Sequence, residues 1–125
     1  EWNNLKEVLD SIDIPLQFFE REIWSIAMGI NLGIEIDGKG ENFERPGLII
    51  KKFNKNHALI LPITSASHIV KGIFLPIFHK SLNKNSAVIV SQLQRASNHR
   101  LLYRIGILDE RQFLEIIDSV KKIFP

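Results

Sequence analysis

The sequence predicts a mainly β (α+β) domain, a small barrel or twisted antiparallel sheet bracketed by an N-terminal and a C-terminal helix. Three observations predict it. Short apolar runs of strand length recur through the middle of the chain, separated by polar, turn-like stretches. Each end carries a helix-periodic apolar pattern. At 125 residues, 45% hydrophobic and 24% charged, the chain suffices for one core but not for two ordinary domains.

Trp2, Leu5, Val8, Leu9 and Ile12 recur at helical spacing, with Asn3 or Asn4 as caps, and Pro15 ends or redirects this first helix. Phe18 and Phe19 precede a strand over Glu22–Met28, in which Trp24 reads as a core aromatic rather than a base-stacking one. Gly29–Glu44 carries four glycines and polar residues throughout, and reads as a long loop. Apolar runs at Gly47–Lys51, Ala58–Ile63, Ile69–Leu75 and Ala87–Leu93, with a weaker one at Leu101–Ile105, read as strands. Asn54–Asn56 and Ser81–Asn85 read as turns between them.

The chain closes on a helix with Asp109 as N-cap, Gln112 completing a capping box, and Leu108 stapled onto Phe113. Phe113, Ile116, Ile117, Val120, Ile123 and Phe124 form its expected buried face, and Lys121 and Lys122 suit its negative end. One domain is expected over residues 1–125: a helical extension over 1–20, a β core over 21–108 containing the loop 29–44, and the terminal helix over 109–125.

No apolar run approaches the roughly 20 residues that span a bilayer, and no basic segment followed by an apolar one suggests a secretory leader. The chain begins at Glu1 rather than Met, so a preceding segment stays open. The absence of cysteine removes disulfides, thiolate nucleophiles and cysteine-based zinc sites, and suits a reducing cytoplasm. His57, His68, His79 and His99 show no ligand spacing, so neither a metal nor another cofactor is expected.

The net charge of +2 conceals a strong segregation. Residues 1–44 hold ten acids against three bases, whereas Arg45–Leu108 hold ten bases and no acid. Such a stretch attracts a polyanion, although a solvated basic face balanced by the acidic end explains it equally well.

Two pieces of the sequence suit chemistry. Pro46 opens a strand and biases Arg45 toward an extended conformation, which leaves the arginine side chain at the rim of the sheet. Pro62-Ile63-Thr64-Ser65 sets two hydroxyls at a strand terminus. Taken singly, Arg45 serves equally as an ion-pair partner of Glu44 or Glu41, and Thr64-Ser65 as a cap or turn.

In order along the chain stand Arg21-Glu22-Ile23-Trp24, Gly33-Ile34-Glu35, Arg45-Pro46 and Leu61-Pro62-Ile63-Thr64-Ser65. Ser91-Gln92-Leu93, Arg100-Leu101 and Ile105-Gly106-Ile107-Leu108 then lead into the capped helix. This series, from about Arg21 to Phe124, resembles the PemK/MazF family of type II toxin–antitoxin endoribonucleases. The resemblance implies an SH3-like β-barrel with a C-terminal helix, usually dimeric, that cleaves single-stranded RNA without a metal and is silenced by a cognate antitoxin. It places Arg45 at the family's essential arginine, Thr64 at its essential threonine, and Glu35 at a loop glutamate with an acid/base role. Ser65, Lys39, Gln92 and Arg100 are assigned to substrate binding. Ser91 stands where some members carry an acid, and the usual Asp near Ser97 and Arg near Gln94 are missing. Two alternatives remain at this level: a toxin of the same fold that poisons a topoisomerase without being an enzyme, and an inactive RNA-binding relative.

Overall fold

A computed structural model describes residues 17–28, 44–65 and 73–125. The expected N-terminal helix, most of the long loop with Glu35 and Lys39, and the start of the expected Ile69–Leu75 strand lie outside the described residues. Among those residues the chain forms seven strands and one helix. The strands are β1 (Glu22–Ala27), β2 (Glu44–Asn54), β3 (His57–Ser65), β4 (Phe74–Pro76), β5 (Ser86–Ile89), β6 (Gln94–Ser97) and β7 (Leu101–Ile107), and the helix α1 is Glu110–Ile123. No helix among them is long and apolar enough to cross a membrane.

All pairings are antiparallel, in the order β4-β5-β3-β2-β1-β7, with β6 also on β3. The strand β3 turns the corner: Ile63–Ser65 pair with β5, and His57–Ile60 pair with β6. The 3-10 turn Val90–Gln92 carries the chain from one arm to the other. Among the described residues β4 and β7 do not pair with each other. The observed form is therefore an antiparallel sheet, and the expected closed barrel is not formed by these strands.

The continuous apolar runs have a plain cause: the central strands are covered on both faces. Ile23, Leu48, Ile50, Leu61, Ile63 and Val88 join Ile77, Leu108 and Ile116 in one core, on the side closed by α1. The alternate positions Trp24, Ile26, Ile49 and Ile60 join Phe18, Ala58, Ala96 and Leu101 in a second. Strands sandwiched in this way lose the one-in, one-out alternation that a half-exposed strand shows. Gly47 permits the second core to close, because a Cβ there would lie 2.5 Å from Ile26 Cδ1.

Helix α1 starts where the capping pattern places it. The Asp109 side chain accepts from the Gln112 amide at 3.2 Å, and buried Leu108 and half-buried Phe113 share the first core. The capping box is only half formed, however. The Gln112 side chain turns away from Asp109 and holds the peptide of Phe78 instead, accepting from its N–H at 2.7 Å and donating to its carbonyl at 3.0 Å. Of the expected buried face, Ile116 is fully enclosed, and Phe113, Ile117, Val120 and Ile123 pack against the core. Phe124, the C-cap, is exposed because its backbone has left the helix.

The Arg21-Glu22-Ile23-Trp24 motif is structural. Arg21 takes φ 79°, a conformation unusual for a side chain of this size. Its N–H reaches Ile49 O, its carbonyl receives Leu108 N–H, and its Nε donates to Leu108 O at 3.1 Å, so it joins β1 to the chain just before α1. The buried Glu22 carboxylate accepts from Phe19 N and Trp24 Nε1, both at 2.9 Å, and pairs with Arg104 Nη1 at 3.2 Å.

Candidate functional site

At one end of the β2–β3 ladder, Gly47 faces Pro62 and Leu48 faces Leu61. The β2–β3 ladder ends there: Arg45 and Glu44 pair onward with Ile26 and Ala27 of β1, and Thr64 and Ser65 with Ala87 and Ser86 of β5. Arg45, Glu44, Thr64 and Ser65, with Pro46 and Ile63, line one open pocket of about 490 Å³ at the strand ends. Thr64 is half-buried, with Oγ1 directed to Ser65 O at 3.4 Å, and Ser65 is exposed. The expected rim arginine and strand-end hydroxyls thus come together.

The Glu44 carboxylate accepts a hydrogen bond from buried Ser25 Oγ. This anchors the first residue of β2 onto β1, and makes Glu44 the carboxylate that the described residues supply to the pocket. Sequence reading treated Glu44 only as an ion-pair partner of Arg45. No signal in the sequence marked the opposite wall, where Ser81, Leu82 and Asn83 come from the segment before β5, Ser86 opens β5, and Ile105 comes from β7. That segment looked like an ordinary turn because its composition is a turn's.

Two predicted substrate contacts lie apart from the pocket. Gln92 is exposed in the 3-10 turn Val90–Gln92, where its carbonyl accepts from Gln94 Nε2 at 3.4 Å. Arg100 donates through Nε to Ala27 O at 2.7 Å. Ala27 pairs with Glu44, so Arg100 reinforces the same rim one strand over without lining the pocket.

Some bases of the acid-free stretch are engaged away from the pocket. Lys52 Nζ sits 5.0 Å from the Phe18 ring centroid and 4.5 Å from that of Phe19. It lies seven residues along β2 from Arg45, roughly 20 Å away. Arg104 is paired with Glu22. No group of three or more His, Asp or Glu side chains suited to a metal gathers among the described residues.

The protein is thus a small antiparallel β-sheet protein in which an arginine, two hydroxyls and a carboxylate line one pocket at the strand ends. Guanidinium and hydroxyl donors of this kind suit the oxygens of a phosphate. Residues 21–124 match the family model described as PemK-like, MazF-like toxin of type II toxin–antitoxin system. The match covers most of the chain, and the protein belongs to that family. A comparison with curated proteins finds no match.

Proposed function

We propose that the protein is a toxin endoribonuclease that cleaves single-stranded RNA by attack of the substrate's own 2′-hydroxyl. The observation that carries this reading is the convergence of Arg45, Thr64, Ser65 and Glu44 on one pocket at the ends of β2 and β3. In the reaction a base takes the 2′-hydroxyl proton and the 2′-oxygen bonds to the adjacent phosphorus. The bond to the 5′-oxygen then breaks as that oxygen gains a proton. The products are a 2′,3′-cyclic phosphate and a 5′-hydroxyl.

Arg45 would neutralise the doubly negative phosphorane through two parallel N–H donors, and Thr64 and Ser65 would donate to the same oxygens. Glu35, by resemblance, and Glu44, by position, are the two candidates for proton transfer. The nucleophile belongs to the RNA, so the chemistry requires no metal, and DNA lacks the reacting group. The same reading includes a homodimer working in the cytoplasm, silenced by an acidic antitoxin segment that competes for the basic stretch Arg45–Leu108.

Incubation of purified protein with unstructured RNA and with DNA of the same sequence, in EDTA, tests the reading. RNA cut to cyclic-phosphate and 5′-hydroxyl ends, with the DNA intact, is the expected result. Cutting that requires an added divalent cation would overturn the mechanism, and intact RNA under all conditions would overturn the activity.

A further inference from the structure

The segment from Ile77 to Asn85, between β4 and β5, is held in shape by hydrogen bonds that leave its pocket-facing side chains unused. Ile77 N–H donates to Ser86 O at 3.1 Å, and the Phe78 peptide is held at both ends by Gln112. Ser81 N–H donates to His79 Nδ1 at 3.0 Å, Leu82 N–H to His79 O at 3.0 Å, and Ser86 Oγ to Asn83 O at 2.9 Å. The His79 ring also lies on Gly106 of β7, where an added Cβ would meet its Cε1 at 2.5 Å. All these bonds involve the backbone of the segment or His79.

Ser81 and Asn83 both line the pocket, and neither side chain bonds any described residue. A loop pinned at Ile77, Phe78, Ser81 and Leu82 that leaves an amide and a hydroxyl open at a cleft suits recognition as well as connection. Their neighbours in the wall are Leu82, Ile63 and Ile105, which make an apolar bed beside the two polar groups.

We propose that this wall is a nucleobase subsite, in which Asn83, assisted by Ser81, reads the edge of one unstacked RNA base next to the phosphate held by Arg45 and Thr64. The inference rests on the RNA-cleaving reading and goes beyond it by placing sequence selectivity in a named loop. A base has two apolar faces and a rim of alternating donors and acceptors. The aliphatic bed suits the faces, and the Asn83 amide, with one acceptor and two donors, suits the rim. The lining residues on this side are neutral, which fits a base better than a second phosphate. The pocket volume, about 490 Å³, falls in the range that holds one small ligand moiety.

The test is a selection from a randomised pool of 2′-fluoro RNA octamers, which cannot be cleaved, with the bound fraction sequenced for wild type, Asn83→Ala and Ser81→Ala. Wild type should enrich one base at one position about five- to a hundredfold, the worth of a good two-point base contact. Asn83→Ala should abolish enrichment at that position while preference elsewhere and the melting temperature stay as in wild type. The segment is framed through the Asn83 carbonyl, which the substitution retains.

Enrichment that persists in Asn83→Ala, or that fades equally at all positions, would overturn the subsite. Selective binding by a protein that cuts no RNA would leave the subsite standing and sink the cleavage reading alone. If no octamer binds, or if only an acidic antitoxin peptide occupies the pocket, both fall.

Discussion

Replacing Glu22 with alanine separates the structural role of the Arg21–Trp24 motif from any role in catalysis. The Glu22 side chain is 6% exposed and serves three donors: Phe19 N–H, Trp24 Nε1–H and Arg104 Nη1. In the alanine variant the buried Trp24 indole loses its acceptor, which costs about 1–3 kcal/mol. The part-buried Phe19 amide adds about 1 kcal/mol, the worth of an ordinary hydrogen bond. The Arg104 arm adds little, at most about 1 kcal/mol, because that side chain is 54% exposed and screened by solvent.

A total of about 2–5 kcal/mol follows, or a fall of roughly 8–20 °C in melting temperature for a chain of this length. Glu22→Gln keeps an acceptor for the indole and the amide, and should lose only about 1 kcal/mol. Adding Trp24→Phe removes the orphaned N–H, so the double variant should be less unstable than the sum of the single ones by about 1–2 kcal/mol. Urea unfolding followed by fluorescence and circular dichroism measures wild type, Glu22→Ala, Glu22→Gln, Trp24→Phe and the Glu22→Ala/Trp24→Phe double variant. Glu22→Ala within about 0.5 kcal/mol of wild type, or strict additivity with Trp24→Phe, would refute the argument.

Arg45→Ala and Thr64→Ala should each lower RNA cleavage by about 10²–10³ with little change in melting temperature, read by single-turnover kinetics. Of Glu35→Gln and Glu44→Gln, the one that removes the acidic limb of the pH–rate profile marks the general base; if neither alters it, both assignments fail. Gly47→Ala should destabilise by about 1–3 kcal/mol in thermal unfolding, because the new Cβ must displace buried Ile26 Cδ1. Light scattering should report a homodimer. An acidic antitoxin peptide and RNA should compete for it, with RNA affinity falling more steeply as salt rises, and independent binding of the two would count against a shared groove.

The elements that could be read in advance are those whose local chemistry is decisive. The runs Glu22–Ala27, Leu48–Ile50 and Ala58–Ile63 have no amphipathic alternation because both faces are covered, and an unbroken apolar run is a strong strand signal. Helix α1 was visible through Asp109 and its periodic face. Strand β6 was not, because Gln94-Arg95-Ala96-Ser97 buries only Ala96 and owes its place to pairing with β3. The extension of β2 back to Glu44 was hidden by Pro46, which a strand's interior resists but its end next to the pocket accepts.

At the site, Arg45, Thr64 and Ser65 were legible because strand-end positions follow from the runs themselves. Ser81 and Asn83 were not, since only the three-dimensional course of the chain brings a turn-like segment across from β2 and β3. Gln112 misled for a related reason: its spacing from Asp109 fits a local bond, and a more distant partner won the side chain.

That partner choice makes the terminal helix a support behind the pocket's far wall. The Gln112 amide bonds the N–H and the C=O of one residue, as a neighbouring strand would, and so supplies a rung where strand β4 has run out at Pro76. Beyond Ile77 the segment is therefore indexed to the first turn of α1 as well as to the sheet. Any force that rotates or slides that turn is transmitted to the Ser81–Asn83 wall through a two-point joint rather than through soft side-chain packing. The helix acts as a strut braced on Phe78 behind the cleft, and a substitution at Gln112, outside the pocket lining, would change the spacing between the loop wall and Arg45.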